Sequence, residues 1–163
     1  MKTCSKCEEQ KDIEEFYNES RSYCIECERS TANTRMKHYG ATLRGKASQA
    51  LQSSRKAIKN GGYDVFDDLT LMDVIVTFAF ADGECSYCGK VTKNYHMEHI
   101  VPLSKGGPNT LSNICVSCPT CNKSKNNRDL LEWRDFDEVA DVIFQVASRR
   151  GVTITEVLED FKT

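Results

Sequence analysis

Glu98 and His99 stand side by side between two cysteine pairs, Cys85-x2-Cys88 and Cys118-x2-Cys121. The stretch reads C-S-Y-C at 85–88, H-M-E-H-I-V-P at 96–102, G-G-P-N-T-L-S-N at 106–113 and C-P-T-C-N-K-S-K at 118–125. Four thiolates can staple a small fold around one imidazole, one carboxylate and two asparagines. An imidazole that titrates near neutrality can take a proton from water. Hard oxygen donors can hold a divalent cation against a phosphodiester. The pattern predicts a metal-dependent nuclease.

The thiols have a different task. Eight of the nine cysteines fall into four C-x2-C pairs: Cys4/Cys7, Cys24/Cys27, Cys85/Cys88 and Cys118/Cys121. The first quartet has the spacing C-x2-C-x16-C-x2-C, and 29 residues separate the pairs of the second. Both patterns suit structural zinc. Zinc held by four sulfurs has no open position, so these ions are expected to brace the fold and not to catalyse. Cys115 also lies two residues from Cys118, but it follows Ile114 in a strand-like run and reads as a buried packing thiol. With 163 residues and 39% hydrophobic content, a single large core is not expected. Small units need metals or disulfides for stability. The polar start Met1-Lys2-Thr3-Cys4 does not read as a secretory signal, and the apolar run from Val74 to Ala81 is too short for a bilayer. The expectation is a reduced, soluble, cytoplasmic protein, in a bacterial host's cytoplasm if phage-encoded.

Net charge is −2, which argues weakly against a polyanionic partner, but the charges are segregated. Residues 29–59 carry eight Lys/Arg and no acid, and residues 85–128 carry six against Glu98 alone. The flanking segments 1–28, 60–84 and 129–163 are acidic. Screening acts over about 8–10 Å, so a polyanion responds to the local patch. Eight unbalanced cations repel one another unless an anion is near, which favours phosphate contact by Arg35, Lys37, Arg44, Lys46, Arg55, Lys56 and Lys59. His38 reads as incidental to that surface.

Four segments follow: a four-cysteine ribbon at 1–28, a basic helical segment at 29–62, the nuclease unit at 63–134 and an acidic helical tail at 135–163. Phe16-Tyr17 should pack the ribbon. Leu43, Ala47, Ala50, Leu51 and Ile58 recur at helical spacing, ended by Asn60-Gly61-Gly62. A second helix should start at Thr70, capped toward Asp73, bury Leu71, Val74, Ile75, Phe78 and Ala79, and stop at Gly83. Tyr95–Val101 and Asn113–Val116 alternate as strands around a Pro102/Gly106-Gly107-Pro108 turn, and Cys118 opens a short helix through Lys125. Leu130, Leu131, Trp133 and Phe136 read as packing. Residues 137–150 read as a helix with Val139, Val142, Ile143 and Val146 inward, and Thr155 as the cap of a last helix holding Val157, Leu158 and Phe161. The class is a small zinc-stabilised α+β fold.

Residues 83–128 resemble the HNH endonuclease family. The markers are C-x2-C at 85–88, Glu98-His99 followed by I-V-P, Gly106-Gly107, the central Asn113, and Cys118-x2-Cys121 followed by Asn122 and Lys125. The ribbon with its basic neighbour resembles phage-type HNH proteins. The resemblance implies a ββα-metal fold and hydrolysis of DNA, expected to be double-stranded, to 5′-phosphate and 3′-hydroxyl ends. It implies His99 as general base, and Glu98 and Asn122 as ligands of a catalytic Mg²⁺ or Mn²⁺. Asn113 would orient His99 or lock the loop between strands. Lys125 would face the phosphate, and Lys123 and Arg128 would extend the grip. Glu98 stands where the family commonly has Asp, and Asn122 where it commonly has His. His96 shares a strand face with Glu98 and could serve as a ligand, a DNA contact or a structural hydrogen-bonding group. The alternative is a zinc-dependent DNA-binding or packaging accessory protein without turnover.

Overall fold

The computed structural model describes residues 1–160. It forms two compact units, Met1–Gly45 and a second from Lys46 onward, so the division falls inside the basic segment 29–62.

In the first unit, β1 (Lys2–Thr3) pairs antiparallel with β2 (Gln10–Lys11). Its core is minimal: Phe16 is buried with Cys4 and Cys24, while Tyr17 is 55% exposed. So little apolar burial cannot hold a fold without a cross-link. Helix α1 (Ile25–Ala41) starts at the last knuckle, with Cys24 as its N-cap, and buries none of its own side chains. It is polar all round, which is why no apolar period announces it. Thr42 ends it by returning its N–H to Tyr39 O, and Thr42 Oγ1 then accepts the Gly45 N–H. A Cβ at Gly45 would lie 1.8 Å from Tyr39 O, so this close approach requires glycine. The basic stretch is therefore two helices and not one.

Helix α2 (Leu43–Gly61) buries Ala47, Leu51 and Ser54 along one stripe. Leu43, expected on that stripe, sits in the first turn and is 39% exposed. Helix α3 (Leu71–Ala81) carries the expected capping box between Thr70 and Asp73 and buries Val74, Thr77 and Phe78; Ala79 faces outward. Asp82 and Gly83, both at positive φ, turn the chain toward Cys85. Strands β3 (His96–His99) and β4 (Ile114–Ser117) pair antiparallel, with Glu98 opposite Cys115 and His99 opposite Ile114. Between them, Pro102 to Gly107 closes a turn in which a Cβ at Gly107 would lie 2.1 Å from Val101 O. Helix α4 (Pro119–Lys125) follows, with Cys118 as N-cap accepting from Cys121 N–H.

β4 is buried on both faces, and its alternation divides two cores. Ile114 and Val116 pack with Ala47, Leu51, Leu69, Val74 and Phe78. Cys115 lies in a cluster with Tyr87, Ile100, Leu130, Val139, Val142 and Ile143. Full burial of each aliphatic residue contributes about 1.5–3 kcal/mol, so this strand anchors the unit from both sides. Helix α5 (Leu130–Trp133) buries Leu130, and the Trp133 ring meets Tyr87 edge-on at 4.9 Å. Helix α6 (Phe136–Arg150) turns Val139, Val142, Ile143 and Val146 inward and ends at Gly151. Phe136, expected to pack, opens the helix and is 39% exposed. Helix α7 (Ile154–Asp160) buries Val157. Its capping box joins Thr153 to Glu156, so the cap is Thr153 and not Thr155. Phe161 lies outside the described residues. The fold is a small mixed helix-and-strand arrangement with two four-cysteine clusters that could hold zinc. Among the described residues no helix is long and apolar enough to cross a membrane.

Candidate active site

Each cysteine quartet converges. Cys4, Cys7, Cys24 and Cys27 form one cluster, and Cys85, Cys88, Cys118 and Cys121 the other, with the sulfurs of each within 4.8 Å of one another. Cys88 Sγ and Cys118 Sγ are 3.9 Å apart. Zinc–sulfur bonds of about 2.3 Å in a tetrahedron put sulfurs about 3.8 Å apart, so the donor set fits zinc. Backbone N–H groups of Cys24 and Cys121 point at Cys4 Sγ and Cys118 Sγ, as thiolates require. Burial by itself pushes the Cys118 thiol up, but the Cys121 N–H and neighbouring thiols more than offset it and bring it to about 7. Cys115 stands apart from both clusters; burial pushes its thiol up to about 12, which suits a packing residue.

The second cluster pins α4 against β3, and there Glu98 meets its partners. Glu98 Oε1 accepts from Lys125 Nζ at 2.8 Å, and Oε2 accepts from Asn122 Nδ2 at 2.8 Å. Lys125 Nζ also donates to His99 O at 2.9 Å. Burial pushes the Glu98 carboxyl up, and the Lys125 charge opposes that rise. Lys125 side chain is 0% exposed. It cannot reach a phosphate from there, so the sequence expectation for Lys125 is corrected. Its ammonium neutralises Glu98 and ties the end of β3 to α4. Glu98 Oε2 and the Asn122 carboxamide converge, and both are hard donors of the kind that hold Mg²⁺ or Mn²⁺. A half-turn of the amide brings Asn122 Oδ1 to the same place.

His99 leaves the strand end on the other side. Its Nε2 lies 2.8 Å from Asn109 Oδ1. Burial holds the imidazole below its ordinary value, and the Asn109 contact opposes this. The ring is thus neutral at pH 7, as a base must be. Among the hydrogen bonds described, the Asn113 side chain has none to His99. Fully buried, it accepts from Val101 N–H and donates to Val101 O and Pro108 O, which locks the loop between the strands. Of the two roles left open for it, the geometry is that of the loop lock. Glu98 and His99 line the same cleft of about 230 Å³, together with Ala57, Tyr63, Pro102, Leu103, Ser104, Asn126 and Asn127. Asn126 holds φ +52°, ψ −127° beside this cleft, a backbone region costly for a non-glycine residue. His96 is exposed. A larger cleft of about 710 Å³ in the first unit has Lys11, Glu14, Glu26, Arg29 and Lys37 in its walls, but it holds no such pairing of base and hard ligands.

The basic residues divide. Arg35, Lys37 and Arg44 are exposed in the first unit, and Lys56, Lys59, Lys123 and Arg128 are exposed in the second. Lys46 stacks its ammonium on Tyr95 at 4.4 Å and donates to Lys93 O. Arg55 Nε pairs with Asp67 Oδ2 at 3.2 Å and its Nη2 donates to Leu69 O at 2.9 Å, while its side chain stays 53% exposed. Arg128 donates to Ser124 O. Sequence reasoning missed Asn109 and Asp67. Asn109 lay inside the turn motif G-G-P-N, and Asp67 in an acidic stretch with no local spacing to the site.

Comparison with known proteins finds partial matches. The chain is 35% identical over 86 residues to the CRISPR-associated endonuclease Cas9 of Corynebacterium diphtheriae, covering 48% of this chain and 8% of that protein. It is 36% identical over 62 residues to the type IV methyl-directed restriction enzyme EcoKMcrA of Escherichia coli K12, covering 31% and 22%. A third relative is YoqL, an SPbeta prophage-derived protein of Bacillus subtilis with the HNH endonuclease designation; it is 24% identical over 145 residues, covering 77% and 60%. The chain thus spans under two thirds of the length of each. Among solved structures, the type II-C Cas9 of Actinomyces naeslundii gives a TM-score of 0.36 at 22% identity, over 90% of this chain and 14% of that one, too low to bear on the fold. The family model described as HNH endonuclease matches residues 85–128, the segment that holds the second cysteine cluster, the Glu98–Lys125 pair and His99.

Proposed function

We propose that this chain is an HNH DNA endonuclease that hydrolyses phosphodiester bonds with one divalent ion and His99 as general base, leaving 5′-phosphate and 3′-hydroxyl ends. The observation that carries this reading is the shared cleft. Adjacent residues of one strand, an imidazole and a carboxylate, open into the same space, with Asn122 bonded to the carboxylate. Glu98 and Asn122 would hold Mg²⁺ or Mn²⁺. The ion, when bound, supplies neutralisation of the charge that builds on the phosphate and the departing O3′.

The remaining work falls to the chain's own groups. Neutral His99 removes a proton from the attacking water, a contribution of typically 10²–10⁴-fold. Asn113 fixes the loop that carries the chain from His99 to β4, and Lys125 holds Glu98 against α4. Cys85, Cys88, Cys118 and Cys121 would hold a zinc ion that braces α4 against the hairpin. Lys56, Lys59, Lys123 and Arg128, with Arg35, Lys37, Arg44 and Lys46, contact phosphates of a DNA duplex without reading bases. A nuclease name is shared by the relatives, which supports the substrate class.

Plasmid incubated with the zinc-loaded chain and Mg²⁺ or Mn²⁺ tests the reading. Nicking or linearisation is expected, and it should fall by at least about 10²-fold in His99→Ala. Plasmid left intact under every metal, alongside a salt-sensitive gel shift, would instead fit the accessory protein that binds DNA without turnover.

A further inference from the structure

Beyond the ligands and base, a chain of polar groups runs from His99 through buried Asn109 to exposed Asp67 and to Arg55 at the surface of α2. His99 Nε2 meets Asn109 Oδ1 at 2.8 Å, Asn109 Nδ2 donates to Asp67 Oδ1 at 2.9 Å, and Arg55 Nε pairs with Asp67 Oδ2 at 3.2 Å. We propose that Asn109 and Asp67 are positioning residues for His99, which hold its proton on Nε2 and leave Nδ1 as the basic nitrogen. The proposal rests on the reading of His99 as the base and adds how this chain sets that base.

The argument is one of forced polarity. An ionised carboxylate only accepts hydrogen bonds, so the Asn109 group beside Asp67 must be the NH₂ end. The carbonyl end of the same amide then faces His99. An amide oxygen only accepts, so Nε2 must carry the hydrogen, and in a neutral ring Nδ1 is bare. Arg55 completes the polarity by keeping a cation on Asp67.

The chain is also held rigidly. Asn109 is 0% exposed. Its backbone N–H donates to Phe66 O at 2.8 Å, and its carbonyl accepts from Leu69 N–H at 3.0 Å. These two bonds form a parallel bridge between Asp67 and Asn109. The amide and the carboxylate are thus fixed to each other by main chain as well as by side chain. Neither residue touches Glu98 or Asn122 among the hydrogen bonds described, so the pair acts on the base alone.

The zinc-loaded protein, labelled with ¹⁵N in its histidine rings, supplies the test. The sequence has only three histidines, His38, His96 and His99, and the His99 signals are those lost in His99→Ala. At a pH about two units above the ordinary imidazole value, His99 should show a protonated, exchange-protected Nε2 and a bare Nδ1. In Asn109→Leu that protection should vanish and the two nitrogen shifts should move toward each other. In the same variant kcat should fall about 10–100-fold with KM for DNA unchanged, the size of effect usual for groups that orient a site residue. Asp67→Asn, isosteric and at the surface, should lower kcat in the same sense because the Asn109 amide loses its enforced direction. The exchanged pair Asp67→Asn/Asn109→Asp restores an acceptor toward His99 and a donor behind it, and should recover most of the rate. Wild-type kcat and an unchanged Nε2 signal in both Asn109→Leu and Asp67→Asn would overturn the proposal, as would a proton found on Nδ1 in the wild type. If no form cuts DNA but the Nε2 signal depends on Asn109 as stated, the positioning pair stands and the nuclease reading fails.

Discussion

Lys125 shows how one side chain can resemble a substrate contact in sequence and be something else in the fold. Its position after Asn122 suggested a phosphate grip, yet its ammonium is sealed against Glu98 and the His99 carbonyl. Removing one partner of a buried pair leaves an unpaired charge, which costs about 3–5 kcal/mol. Lys125→Met should therefore lower the urea midpoint, with a loss of unfolding free energy of that size. Lys125→Met with Glu98→Gln should recover part of it, because no lone charge remains buried. The single variant should also bind Mn²⁺ more tightly, since a like charge beside the proposed ligand is gone. An unchanged midpoint would place the pair outside the stability of this unit. At the same scale, Glu98, His99, Asn113 and Asn122 were all visible in the sequence, because each lies within a short motif at fixed spacing. Asn109 and Asp67 were not. Their link spans 42 residues, and nothing local distinguishes Asp67 from its acidic neighbours.

The elements that carry the site are short, and that makes them depend on their clips. β3 and β4 have four residues each and α4 has seven, lengths that are not stable in isolation. Sequence alternation and the C-x2-C knuckles were enough to predict this hairpin and helix, since both signals are local. The break between α1 and α2 was not predicted, because α1 buries nothing and shows no period; the close contact of Gly45 with Tyr39 O decides it. Likewise the last cap moved from Thr155 to Thr153, where Glu156 can complete a reciprocal pair. Cys121 sits in the first turns of α4, so a strong chelator or Cys121→Ser should release α4 from β3 and abolish the proposed DNA cutting. Metal analysis of the intact chain should return two zinc ions, and one in Cys121→Ser. Loss of zinc with unchanged thermal unfolding would contradict a bracing role for the clusters.

Across the whole molecule the charges are segregated into basic and acidic segments, although net charge is −2. The first unit has almost no apolar core and relies on its cysteine cluster; the second has two cores on either face of β4. Basic side chains remain exposed in both units, while buried Lys125 serves an internal pair. Composition alone could not separate those two sets, since burial and pairing are properties of the fold. The central claim is that the imidazole of His99 takes the proton from water. Chemical rescue tests it most directly: His99→Gly, zinc-loaded and supplied with Mg²⁺ or Mn²⁺, is assayed on a labelled duplex with and without added imidazole. The account predicts no cutting without imidazole and partial recovery that rises with its concentration, with extendable 3′-hydroxyl ends. Cutting by His99→Gly at the wild-type rate without imidazole would contradict it.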